Sequence, residues 1–139
     1  MDAITDSTAF KLHRVTALID RLADDYLYSN HGIRYAPMLV LLMCRILGPT
    51  SQQAIANNLN VSRASVSQRV AQLVASGLIT TEPLDGRTSR VTLTPAGASL
   101  FDTAWAGLEA HQNGLEAGVN EAVLAEQLDR IIDNAKALL

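Results

Sequence analysis

Two groups of side chains in this 139-residue chain have the types and spacing for chemistry. The first lies on a helical run over residues 63–76. At about 100° per residue, Val66, Val70 and Leu73 share one face. The opposite face then carries Ala64, Ser65, Ser67, Gln68, Ala71, Gln72 and Ala75. That face is small, neutral and rich in hydrogen-bonding groups. A helix entering the DNA major groove needs small residues for close approach and amides or hydroxyls for base edges. Gln68 is the best base reader, since a glutamine can pair bidentately with adenine; Gln72 is the weaker candidate. Ser65 and Ser67 suit phosphates or the neighbourhood of thymine methyls. Ser62 caps the run, and Arg63 and Arg69 flank its inner face within reach of phosphate or the groove wall. Taken alone, the same face describes a solvated helix equally well.

The second group is Arg87, Thr88 and Arg90, at a hairpin tip beside Asp85 and Gly86. An arginine on a thin hairpin can enter a narrow minor groove, where the negative potential is high. Asp85 and Gly86 are structural there: the carboxylate braces the turn or holds Arg87. An ordinary polar hairpin tip is the alternative. The order of elements, two helices, a turn glycine, a strand and an arginine-tipped hairpin, argues against it and towards double-stranded DNA.

Stepping along the chain gives the elements that must hold these groups. A helix over 6–29 starts at Asp6 or Ser7 and carries Val15, Leu18, Ile19, Leu22 and Tyr26 as one apolar stripe. Gly32 ends it. A second helix, 35–47, is apolar on nearly every side and reads as the central buried element. Thr50-Ser51-Gln52-Gln53 has the pattern of a capping box for a helix over 51–58, which buries Ala54, Ile55 and Leu59. Asn60 takes a left-handed turn before helix 63–76, and Gly77 stops that helix. Strands are expected at 78–82 and 90–94, and Thr94-Pro95 starts the next helix. Gly107, Gly114 and Gly118 weaken it, with a bend or end near 114–119. Asn120 caps the last helix, 121–138. The fold class is mostly α with a small β-hairpin wing: a winged helix-turn-helix at about 35–94, flanked by helical regions at 1–34 and 95–139, in a single domain.

Net charge is −3, which by itself disfavours a nucleic acid partner. Its distribution does not. Residues 50–94 hold four arginines against Glu82 and Asp85, a net of +2, whereas residues 95–139 are net −5. A modest basic patch suffices for salt-dependent phosphate contacts. The absence of a long apolar run, the polar opening MDAITDSTAF and the single Cys44 imply a soluble cytoplasmic chain without a membrane role. His13, His31 and His111 lack metal-ligand spacing, and no nucleophile motif or phosphate-binding glycine loop occurs, so no metal, cofactor or enzyme activity is expected.

The segment DGRTSRVTLTPAG resembles the D-x-R…L-T-x-x-G wing signature of the multiple antibiotic resistance regulator (MarR) family, through Asp85, Arg87, Leu93, Thr94 and Gly97. NVSRASVSQRVAQLVASGLI is similar to that family's recognition helix, and IRYAPMLVLL to its second helix. The resemblance implies a homodimeric winged-helix transcription factor whose terminal helices form the dimer. It also implies release of DNA when a small, often phenolic, ligand binds between the two regions. Three positions depart from the pattern. Thr80-Thr81 replaces a basic residue, the Gly77–Asp85 connection is about two residues short, and Arg69 stands where an apolar residue is common.

A ligand pocket of the implied kind would draw on Tyr26, Tyr35, Met38 and Arg45, although packing describes these residues as well or better. The dimer has support in the residues themselves. Phe101, Trp105, Leu124, Leu128 and Ile131 would leave a large exposed apolar patch in a monomer. The expected function is a homodimeric, sequence-specific repressor of transcription, reading a palindromic operator and relieved by a small-molecule effector. The alternatives are a winged-helix protein-interaction module and a redox-responsive regulator using Cys44.

Overall fold

The computed structural model describes residues 3–139. Its elements in order are α1 (Thr8–His31), α2 (Tyr35–Leu47), β1 (Thr50–Ser51), α3 (Gln52–Leu59), α4 (Arg63–Ala75), β2 (Ile79–Pro83), β3 (Ser89–Leu93), α5 (Pro95–His111) and α6 (Glu121–Leu138). The chain falls into two compact units, one running to Leu108 and the other spanning Glu109–Leu139.

Local chemistry sets most boundaries. Ser7 Oγ accepts the Phe10 amide at the start of α1, and Gly32, at φ 69°, ends it. Asn60, at φ 56°, makes the turn between α3 and α4. Ser62 Oγ accepts the Ser65 amide and opens α4. Past the end of α4, Gly77 turns left-handed at φ 75°. The Leu78 amide then reaches back to the Leu73 carbonyl, and that of Gly77 to Val74. This pair of bonds is a Schellman closure.

The core of the first unit has α2 running through it, contributing Met38, Val40, Leu41 and Cys44. Ile55, Val66, Ile79 and Val91 are fully buried from four other elements. From α1 only Ala23 and Leu27 are buried. The expected stripe is displaced: Val15, Leu18 and Leu22 are exposed, Leu18 by 49%. Phe101 also departs from expectation. It is 6% exposed, within the core, with Trp105 stacked on it at 5.5 Å between ring centroids. In the second unit α6 buries none of its residues.

The wing is a sheet of three antiparallel strands, in the order β1-β3-β2, rather than a two-stranded hairpin alone. Thr50 pairs with Val91 and Ser51 with Arg90, so Thr50 is strand and not cap. Ser51 caps α3 instead, accepting the Ala54 amide. Gln53 does not turn back to close a capping box; its amide donates to Asn57 Oδ1 on the next turn. On the other side β2 and β3 pair from Ile79–Leu93 to Pro83–Ser89.

One junction locks α4, the sheet and α5 together. Thr94 Oγ1 donates to the Gly77 carbonyl at 2.7 Å and accepts the Gly97 amide at 3.0 Å. The Thr94 amide donates to the Leu78 carbonyl. Gly97 packs so closely there that a Cβ would run into the Leu78 carbonyl oxygen, which is backbone and cannot swing away. At Gly86, by contrast, a Cβ would meet open space. Gly97→Ala is therefore expected to destabilise the fold by about 1–3 kcal/mol, the usual cost of overpacking. Gly86→Ala should stay within about 0.5 kcal/mol of the parent. Chemical denaturation of both variants at one protein concentration measures the difference.

Candidate nucleic-acid interface

Helix α4 turns Val66, Val70 and Leu73 into the core, so its other face is fixed by the same periodicity. Ser67, Gln68 and Ala71 are exposed, and Ser65 is half-buried. The small, neutral surface expected from the sequence is thus presented outward. The hydroxyl oxygen of Ser62 is taken up by the Ser65 amide. Arg69 is half-buried along the flank. Arg63 is exposed, and its Nε donates to Gln52 Oε1 at 3.3 Å, a partner that periodicity alone does not reveal.

The wing tip is organised by one carboxylate. Asp85 Oδ1 accepts the amides of Arg87 and Thr88, each at 2.9 Å, and the Thr88 hydroxyl at 2.8 Å. The Leu84 amide closes the loop onto the Thr88 carbonyl. The expected brace is therefore present. It is made to the Arg87 backbone, so the Arg87 guanidinium is left outside it. Among the described residues neither Arg87 nor Arg90 forms an ion pair. The Thr88 hydroxyl proton goes to Asp85, so within the turn Thr88 acts as part of the brace.

Gln72 is exposed and also borders a cavity. With Leu73 and Ser76 it lines this space of about 390 Å³, bounded by His31, Gly32, Ile33, Arg34 and Pro37 at the α1–α2 junction, and by Leu78 and Leu100. The residues proposed for a pocket do not line it. Met38 is fully buried, because α2 turns its 38–41–44 positions into the core and leaves Pro37 towards the cavity. Tyr26 stands behind the wall, its hydroxyl 3.4 Å from His31 Nε2. Gly107 permits that approach, since a Cβ there would meet the Tyr26 hydroxyl. The Tyr35 amide donates to Asp24 Oδ1. Burial, and after it the charge of Asp20, push the Tyr35 phenol above its usual range. Arg45 bonds Asp102 and lies on a separate cleft of about 190 Å³ with Cys44 and Thr92. Arg34, unforeseen, is fixed at the cavity wall. Its Nη1 is 3.0 Å from Asp24 Oδ2, and its guanidinium lies 3.6 Å from the Tyr28 ring centroid.

Cys44 is buried, and that burial pushes its thiol up to about 11. A peroxide-sensing thiol needs the opposite shift and an open path. Among the described residues no three His, Cys, Asp or Glu side chains gather to hold a metal ion. No helix among them is long and apolar enough to cross a membrane.

The MarR family model matches residues 31–88, from the end of α1 to the wing tip. Over that stretch, which is less than half of the chain, the sequence is similar to the MarR family. A MarR family transcriptional regulator from Rhodococcus sp. RHA1 shares the fold at 22% identity and a TM-score of 0.83, over 94% of each chain. A mutant MarR from E. coli, complexed with operator DNA, is 22% identical at a TM-score of 0.80, over 94% of this chain and 99% of that one. CouR from Rhodococcus jostii RHA1, bound to p-coumaroyl-CoA, is 21% identical at 0.80, over 94% and 93%. No curated protein sequence matches the chain significantly. In this chain the wing motif has a physical content: Asp85 braces the tip, Arg87 is exposed on it, and Thr94 and Gly97 anchor its base.

The brace carries a pH signature. The Arg87 amide, then the Thr88 amide and hydroxyl, favour the charged carboxylate and hold Asp85 below the ordinary carboxylate range. A depressed acid contributes its stabilisation in full above its unfolded pKa, about 3.9. It loses that contribution as pH falls through the lower folded value. A carbon-detected NMR titration should find the Asp85 midpoint below about 3.9, and higher in Thr88→Val, which removes one donor. A midpoint at the ordinary value would mean the brace does not persist in solution.

Proposed function

We propose that the protein is a homodimeric, sequence-specific DNA-binding regulator of transcription, acting in the cytoplasm as a repressor relieved by a small-molecule effector. It is a binding protein, not an enzyme. The observation that carries this reading is the pairing of a small, neutral-polar α4 face with a braced hairpin whose Arg87 is uncompensated. In this reading α4 enters the major groove and Gln68 reads a base, with Ser65 and Ser67 beside it. Arg63 and Arg69 hold phosphates, with the Ser62-capped end of α4 alongside. Arg87 enters the minor groove, and Arg90 supports the wing's contact from the strand.

The exposed apolar residues support a second copy as partner. Val15, Leu18 and Leu22 of α1, and Val123, Leu124, Ile131 and Ile132 of α6, are unburied. Terminal helices of this kind are the dimerising parts in the reading. Two-fold pairing would set two α4 helices about one DNA turn apart and so select a roughly palindromic operator. The effector would occupy the cavity that Gln72, Leu73 and Ser76 share with the α1–α2 junction. A ligand that binds one arrangement of α4 more tightly shifts the population away from the DNA-bound one. CouR with its p-coumaroyl-CoA is a precedent for a small-molecule ligand in this fold.

Fluorescence anisotropy with duplexes from upstream of the protein's own gene, across a range of salt, tests the reading. Tight binding that resists competitor DNA and weakens steeply with salt is expected. Arg87→Ala should weaken it, and Gln68→Ala should relax base preference by about 1–3 kcal/mol at one position. If both variants bind like the parent, the interface is elsewhere. Weak binding without salt dependence would favour a protein partner for the same surface.

A further inference from the structure

Resting on the DNA-binding reading above, we infer that Gln52 is a positioning residue for DNA, holding the Arg63 guanidinium in the orientation that grips a backbone phosphate. The two residues are the first of α3 and the first of α4. They stand eleven positions apart, and the turn at Asn60 brings them together. The bond runs from Arg63 Nε to Gln52 Oε1 at 3.3 Å. A guanidinium has five N–H donors in a rigid fork. With the Nε proton directed at Gln52, the Nη1/Nη2 end remains available, and its two parallel N–H bonds form the fork that suits phosphate oxygens.

Three further observations favour this role over incidental contact. Arg63 is exposed, and it forms no ion pair among the described residues, so its charge is uncompensated. Its anchor is a neutral amide, which orients the cation without cancelling its charge; a carboxylate in the same place would do both. Gln53, the adjacent amide, is tied to Asn57 along its own helix, so the two neighbouring glutamines have different work. An unanchored exposed arginine loses rotamer freedom on binding, and a pre-oriented one loses less.

The test uses the full chain and a mixed-sequence DNA duplex, since phosphate contacts do not depend on base sequence. Affinity is measured against salt for the parent, Gln52→Met, Gln52→Glu, Arg63→Ala and the double variant Gln52→Met with Arg63→Ala. Arg63→Ala should lower the slope of log affinity against log salt by about 1. Gln52→Met, which removes the acceptor, should weaken binding roughly two- to fivefold, the effect of one exposed hydrogen bond. In the Arg63→Ala background the same substitution should change nothing further. Gln52→Glu keeps the anchor but neutralises the arginine, and should lower the slope as Arg63→Ala does. A merely structural role for Gln52 would move affinity equally in both backgrounds and leave the Gln52→Glu slope unchanged, and either result overturns the inference. Absence of salt-dependent binding by the parent would overturn the DNA-binding reading and this inference with it. Parent binding with an unchanged slope in Arg63→Ala would overturn this inference alone.

Discussion

The hydroxyl of Thr94 holds three segments of the chain in register. It donates to the carbonyl of Gly77, where α4 has just ended, and accepts the amide of Gly97, where α5 is beginning. Its own amide meets Leu78 at the base of the wing. The direction in which the hairpin leaves the helix-turn-helix is thereby fixed relative to α4. Gly97 is the condition for it, because the Leu78 carbonyl occupies the space a side chain would need. An arginine at the tip of a hairpin reaches a defined point only if the base of that hairpin is fixed. The Thr94 junction therefore matters to Arg87, although the two residues lie at opposite ends of the strand pair.

A second constraint is electrostatic. The chain as a whole is acidic, yet the four arginines of residues 50–94 face only two acids. Neither acid cancels an arginine by contact. Glu82 sits opposite Arg90 in the β2–β3 register without forming an ion pair, and the Asp85 oxygen Oδ1 is engaged by the turn itself. Elsewhere three arginines are paired, Arg34 with Asp24, Arg45 with Asp102 and Arg130 with Glu126, whereas Arg14 and Arg21 of α1 are in no ion pair among the described residues. Exposed pairs of this kind contribute little to stability. Their distribution does leave all four arginines of residues 50–94 without an ion pair among the described residues.

Much of this was legible in the sequence where a residue's role depends on its immediate neighbours. Ser7, Ser62, Asn60, Gly77 and Asn120 act within a few residues of themselves, and each does what its type and spacing imply; Thr94 caps α5 as its spacing implies, but its bonds to Gly77 and Leu78 lie beyond that reach. The failures are long-range. Thr50 reads as a cap because Gln53 follows three positions later, but pairing with Val91, forty residues away, turns it into a strand. Phe101 reads as an unpartnered apolar residue, but packing places it in the core. Met38 falls on the wrong side of α2 for a pocket because a helix apolar all round gives no phase from which to tell Pro37 from Met38. The Gln52–Arg63 bond needs both helices in position before it exists at all.

The cavity at the α1–α2 junction shows why such long-range contacts matter. Its walls come from two kinds of element. Arg34 is held rigidly by Asp24 and by the Tyr28 ring, so that side has little freedom to adapt. Gln72 and Ser76 belong to the last turns of α4, and Leu78 follows immediately at the base of the wing. Anything that fills the space presses on a fixed wall on one side and on the helix-wing junction on the other. Leu78, at the cavity wall, is tied to the wing base because its carbonyl accepts the Thr94 amide. The cavity thus borders a fixed wall and the helix–wing junction within one packed unit. It borders this junction without including Ser67, Gln68 or Arg87 in its lining.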